Sequence, residues 1–281
     1  MMIGMSVEDV MTRDVVYTTI PGSRNKVLDL LKEKHVSAVP VVKDESLIGI
    51  VTRSNFLENP EEEQTALLMT RDPITARPYE TIETAAMRLI HNEIRRLPVV
   101  DGGELVGIVT VSDIIGAIAN LRIEEPIGRY VDTFIVSVWE ETPLPLVGRI
   151  MELAGVKVVP VLDSTGNLVG IISDKDLIQS STIVDTIEKS DMSAGSDEDA
   201  WTWESMRDTM SLYYSVSRVE LPDVPAKEAM KNNDLSVLHT TPLSECARTM
   251  HRRGLRHLPL VKSNQQLKGL VEDIDMLKAI V

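Results

Sequence analysis

Residues 94–115 read IRRLPVVDGGELVGIVTVSDII, and their pattern decides the fold. Two apolar runs, Val99-Val100 and Leu105 to Thr110, flank the polar break Asp101-Gly102-Gly103-Glu104, which turns one strand back on the next. After the second strand the apolar spacing lengthens to that of a helix. Upstream, residues 82–92 (IETAAMRLIHN) set Ala86, Leu89 and Ile90 on one face and predict an amphipathic helix. Short strands precede such helices, as in DVVYTT at 14–19 and IVSV at 135–138. The unit is strand, helix, strand, strand, helix.

Three more segments share this pattern: VSAVPVVKDESLIGIVTRSNFL (36–57), VKVVPVLDSTGNLVGIISDKDLI (156–178) and LRHLPLVKSNQQLKGLVEDIDML (255–277). Aligned on Pro40, Pro98, Pro160 and Pro259, they place Gly49, Gly107, Gly170 and Gly269 nine or ten residues on. Six residues past each glycine stand Asn55, Asp113, Asp176 and Asp275. Internal repetition of this kind outranks other signals for fold. One unit alone is too small to be more than marginally stable, so the copies must pack on one another.

These landmarks, in register four times, resemble the CBS (cystathionine-β-synthase) repeat along most of the chain. The resemblance implies an α/β fold of two tandem CBS-pair (Bateman) modules forming a pseudo-symmetric disc, repeat 1 with 2 and 3 with 4. With four repeats the chain looks like the archaeal stand-alone CBS proteins and the gamma subunit of AMP-activated protein kinase. The repeats are expected at 6–58, 65–120, 126–180 and 226–281. An acidic insertion at 181–225 separates the last two and reads as a linker, or as a docking segment carrying Trp201 and Trp203.

Composition supports a folded chain, and the missing catalytic motifs lead to the expectation of a non-catalytic one. Of 281 residues 43% are hydrophobic but only 4% aromatic, which leaves Val, Ile, Leu and Met to fill the interior. A formal charge of −14 repels nucleic acid. The lone Cys246 cannot form an internal disulfide, and no Cys/His group has zinc spacing. Neither a signal sequence nor a long apolar run is visible, so a cytoplasmic protein off the membrane is expected, as a monomer or a homodimer. No Walker loop, nucleophile elbow or kinase signature occurs.

Repeats 2 and 3 set a hydroxyl and a carboxylate three positions apart at a helix start, Thr110 with Asp113 and Ser173 with Asp176. That spacing is a capping box, which needs no ligand. In the CBS family it is also the adenosine motif, with the acid accepting from the ribose hydroxyls. The resemblance therefore implies ribose contacts for Asp113, Asp176 and Asp275, and hydroxyl or phosphate contacts for Thr110 and Ser173.

Three residues before each proline stand Ser37, Arg95, Lys157 and Arg256. The basic ones fall in the same three repeats that carry the aspartate. A helix cap gives no reason for a cation some 18 positions earlier, whereas a nucleotide gripped at ribose and phosphate does. The resemblance assigns Arg95, Lys157 and Arg256 to phosphate, with Arg96 and His257 beside them; helix-end cations are the plainer reading of these residues. The other histidines, His251 among them, read as surface or structural. Ser37 and Asn55 leave repeat 1 weak or empty, and Glu272 at the hydroxyl position makes repeat 4 a poor phosphate site.

The expected ligand is adenosyl: AMP, ADP or ATP, with S-adenosylmethionine or methylthioadenosine as the alternative. A separate partner protein would read the change in shape. A scaffold with vestigial pockets is the other reading.

Overall fold

In each repeat the proline lies in one arm of a hairpin and the glycine in the other. The computed structural model describes residues 4–59, 62–131, 134–191, 211–232, 235–264 and 266–281, with backbone alone along 182–191 and 211–220. The hairpins are Ala38–Lys43 with Ser46–Thr52, Arg96–Asp101 with Glu104–Thr110, Val158–Leu162 with Leu168–Ser173, and His257–Val261 with Leu267–Glu272. The strands expected at 14–19 and 135–138 shrink to Thr18–Thr19 and Val138–Trp139. Each pairs in parallel with only two residues of its hairpin, Val41-Val42 and Val161-Leu162, so nothing extends it further.

The chain forms two units, Met1–Thr133 with Leu235–Asn264 and Lys268–Val281, and Phe134–Asp234 with Gln265–Leu267. In the first, the hairpins of repeats 1 and 2 meet edge to edge at Ser46 and Glu104 in one sheet. The residues leading into each repeat do not stay with it. Thr12 bridges to Ile108 of repeat 2, and Thr70 pairs with Ile50 of repeat 1. In the second unit Lys231, from the start of repeat 4, pairs with Ile171 of repeat 3 in the same register. Reciprocally, Ile127 and Gly128 donate to Thr241 O and His239 O in the first unit. In repeats 1, 2 and 3 the second strand is thus completed by a segment that leads into a neighbouring repeat.

The main core of the first unit lies where the helix Val111–Asn120 of repeat 2 crosses the helix Leu243–Arg253 of repeat 4. Ile114, Ile118, Leu243, Cys246 and Met250 are all at most 1% exposed there. The missing side chain of Gly116 leaves room for the His251 ring; a Cβ would stand 2.8 Å from His251 Cε1. Burial in that core pushes the Cys246 thiol up to about 12, so it stays protonated and inert. The predicted amphipathic helix forms as Ile82–His91, burying Ala85, Ala86 and Leu89 with Ile90 half-buried. Repeat 1 keeps a separate core around Val27, Leu31, Val39, Val51 and Leu68. Repeat 3 packs Leu144, Val147, Val159, Val161 and Ile172 against Ala226.

The insertion is not a featureless linker. Thr182–Asp191 and Ser211–Glu220 pair antiparallel from Thr182↔Glu220 to Asp191↔Ser211. Its ends are rich in β-branched and aromatic residues, a strand signal hidden when the whole insertion is averaged with its acidic middle. Trp201 and Trp203 lie outside the described residues.

Candidate ligand site

All four repeats build the capping box. Thr110 donates to Asp113 Oδ2 through its N–H at 2.8 Å and its hydroxyl at 2.7 Å. Ser173 does the same to Asp176 Oδ2, with the N–H at 2.9 Å. Glu272 N–H donates to Asp275 Oδ2 at 2.8 Å, and Thr52 caps through Asn55 Oδ1. The cap takes one oxygen of each carboxylate, so the other decides whether the residue can also hold a ligand.

At three repeats the second atom is engaged. Asp176 Oδ1 meets Lys231 Nζ at 2.6 Å, Asp275 Oδ1 meets Lys278 Nζ at 2.6 Å, and Asn55 Nδ2 donates to Thr70 Oγ1. Burial would raise the Asp176 carboxyl, but Lys231 and the Ser173 donors outweigh it and hold it below the usual range. Asp113 Oδ1 has no such partner among the described residues, and its side chain is half-buried. Glu272 is pushed up by burial and then by the neighbouring Asp275 and Asp273.

Beside Thr110 lies a hollow of about 240 Å³, walled by repeats 2 and 4 with Ser37 from repeat 1. It gathers Arg95, Arg96 and Arg256 with Thr110, Ser112 and His251. Arg96 Nη1 is buried without a hydrogen-bond partner. Burial, then the charges of Arg256, Arg95 and Arg53, lower its guanidinium from the ordinary arginine range to about 10. Such a cluster is costly without an anion.

The sequence expectation and the structure part company at several residues: Ser173, Asp176 and Asp275 do not line this hollow, and Asp113 stands next to its lining residue Ser112 without lining it. Arg95 is ion-paired with Asp273, 178 residues away in the chain. Lys157 is exposed, belongs to the second unit and does not line this hollow. His257 begins its strand half-buried and does not line the hollow. His251, read as structural, lines it, as does Asp273. Sequence did not single out Asp273, because at the position after the hydroxyl repeats 1 and 2 carry Arg53 and Val111 but repeat 3 also carries an acid, Asp174.

The CBS domain family matches residues 7–62, 65–120, 127–182 and 226–281. The chain belongs to the CBS domain family. An uncharacterised protein of Methanocaldococcus jannaschii is 29% identical over 196 residues, which are 62% of this chain and 69% of that protein. Its solved structure, described as a candidate archaeal homologue of g-AMPK, gives a TM-score of 0.66 at 21% identity, covering 99% of this chain and 100% of that one. An uncharacterised conserved protein from Pyrococcus horikoshii gives 0.70 at 26% identity with the same coverage. The full four-repeat CBS fold is thus shared from end to end. Among the described residues no helix is long and apolar enough to cross a membrane, and no cluster of His, Cys, Asp and Glu could hold a metal ion.

Proposed function

We propose that this CBS protein is a non-catalytic sensor whose first unit binds an adenosine-containing anion between repeats 2 and 4. One observation carries the reading: three arginines converge on a hollow in an acidic chain, one of them buried with an unpartnered nitrogen. Asp113, which follows the lining residue Ser112 without itself lining the hollow, holds the ribose through Oδ1 while Oδ2 keeps the cap, and the arginines and Thr110 face the phosphate. Because the walls come from two repeats, ligand favours whichever arrangement of the Val111–Asn120 and Leu243–Arg253 helices closes the hollow. A partner protein with different affinity for the two arrangements reads the signal.

Asp113→Asn tests the ribose role without disturbing the helix, since Asn55 makes the same cap in repeat 1. Calorimetry should show AMP, ADP or ATP binding the parent, and about tenfold or greater loss in the variant, with the melting midpoint nearly unchanged. Unaltered affinity returns Asp113 to a purely structural role. Tighter binding of S-adenosylmethionine or methylthioadenosine than of any nucleotide would move the assignment to adenosyl cofactors.

Site number is a second check. Asn55 lacks the charge, and Lys231 and Lys278 already hold Asp176 and Asp275. Fewer than four tight sites should titrate per chain, and Lys231→Ala should strengthen ligand binding at repeat 3. Four equivalent sites in the parent contradict this.

A further inference from the structure

We infer that Asp273 is a built-in substitute for the ligand's anionic group and limits the pocket to ligands carrying a single phosphate. The inference rests on the proposed reading of the hollow as an anion site. Asp273 is the carboxylate in the hollow's wall, its side chain 7% exposed, and it is paired with Arg95. Its backbone position is fixed independently of that pair: its N–H donates to Arg256 O at 2.9 Å, as Val111 N–H does to Arg95 O at 3.1 Å. Nor does it cap its helix, because Asp275 does so. What the Asp273 side chain adds is a negative charge placed against an arginine that would otherwise be open to the ligand.

Charge sets the selectivity. The hollow's wall carries the guanidiniums of Arg95, Arg96 and Arg256 against the one carboxylate of Asp273, a surplus of two positive charges with histidine counted neutral and Asp113 outside the lining. One phosphate monoester carries about −1.5 to −2 at neutral pH, which matches that surplus. Each further phosphate adds charge that the lining cannot balance and that Asp273 repels at short range. A ligand reaching Arg95 must share it with Asp273 or displace the carboxylate. Displacement would break a link between repeat 2 and repeat 4, so Asp273 also ties occupancy to their packing.

The test compares the full chain with Asp273→Asn and Asp273→Ser, titrated with AMP, ATP, adenosine and inorganic pyrophosphate. The parent should bind AMP more tightly than ATP. In the variants AMP should tighten about tenfold and ATP about 100-fold, reversing or abolishing the preference, while adenosine stays within about twofold. Pyrophosphate, which needs no ribose contact, should tighten about tenfold or more.

If AMP binds the parent but its ratio to ATP and the pyrophosphate affinity are unchanged in the variants, the inference falls and the proposed function stands. If no adenosine compound binds but pyrophosphate tightens in the variants, the inference stands and the proposed function falls. Failure of every anion to bind the variants overturns the inference. Should both variants melt well below the parent, the melting shift given by pyrophosphate replaces calorimetry. A larger shift than in the parent supports the role of Asp273, and an equal or smaller one overturns it.

Discussion

Arg96→Met is expected to make the ligand-free protein more stable and the ligand weaker, two effects of opposite sign from one substitution. Arg96 is a charged group whose folded pKa, about 10, lies below the ordinary arginine range. Its protonated form is therefore disfavoured in the native state. The penalty is fully present below about pH 10 and is relieved as pH rises from there towards the ordinary arginine range. One unit of pKa corresponds to about 1.4 kcal/mol, so the penalty is on the order of 1–3 kcal/mol. Methionine is similar in length, flexible and uncharged, and suits the half-buried site at the start of the Arg96–Asp101 strand. A rise of several degrees in melting midpoint should follow without ligand.

Binding should move the other way. A charge-assisted hydrogen bond contributes about 1.5–3 kcal/mol, so AMP and pyrophosphate should weaken roughly 10- to 150-fold. Arg96→Lys keeps the charge but not the planar fork and should recover only part of the affinity. Scanning calorimetry and titration of the same samples check both signs. A variant less stable than the parent would mean that Arg96 is satisfied, and the case for an anion would lose its main support.

The fold was legible because its landmarks are local. Proline, glycine and cap recur within about 16 residues of each other, and each reports a backbone feature of its own segment. The exchanged lead-in segments were not legible, since hairpin and helix patterns do not say which repeat's strand a short segment will join. That limit reaches the site. A Ser/Thr-x-x-Asp motif describes one carboxylate with two oxygens, and sequence could not tell cap from ligand because the cap engages only one of them. Lys278, three residues from Asp275 on the same helix, was within reach of helical spacing. Lys231 was not, because it arrives at Asp176 from the next repeat. Arg95 failed in the same way: its position marked a cation at the pocket, but its partner Asp273 lies on another repeat's helix.

Gly107→Ala should be among the most damaging small substitutions in the first unit, costing about 1–3 kcal/mol by overpacking. The glycine that recurs in the repeats is not there for a turn. A Cβ at Gly107 would stand 2.5 Å from Met11 Sδ and 3.1 Å from Thr12 O. Gly49 meets Met69 and Thr70 O in the same way, and Gly170 meets Met230 and Lys231 O. Met11 is 8% exposed and has little room to swing away. Thr12 cannot retreat, since its N–H and carbonyl both bond Ile108 at 2.9 Å.

Gly102→Ala is the comparison. Its φ of +61° favours glycine, but a Cβ there meets nothing within 4 Å, so only backbone strain of about 1–2 kcal/mol applies. Chemical denaturation of both variants and of Met11→Ala/Gly107→Ala separates the two causes. Removing the methionine side chain should make the Gly107 substitution cheaper, with a coupling of about 0.5–3 kcal/mol. No coupling would mean that Met11 is not what Gly107 accommodates. The strand Glu104–Thr110 is held on one side by this lead-in segment and ends at the residue that caps with Asp113. Gly107→Ala should therefore also weaken AMP binding, and Met11→Ala in the same chain should restore part of it.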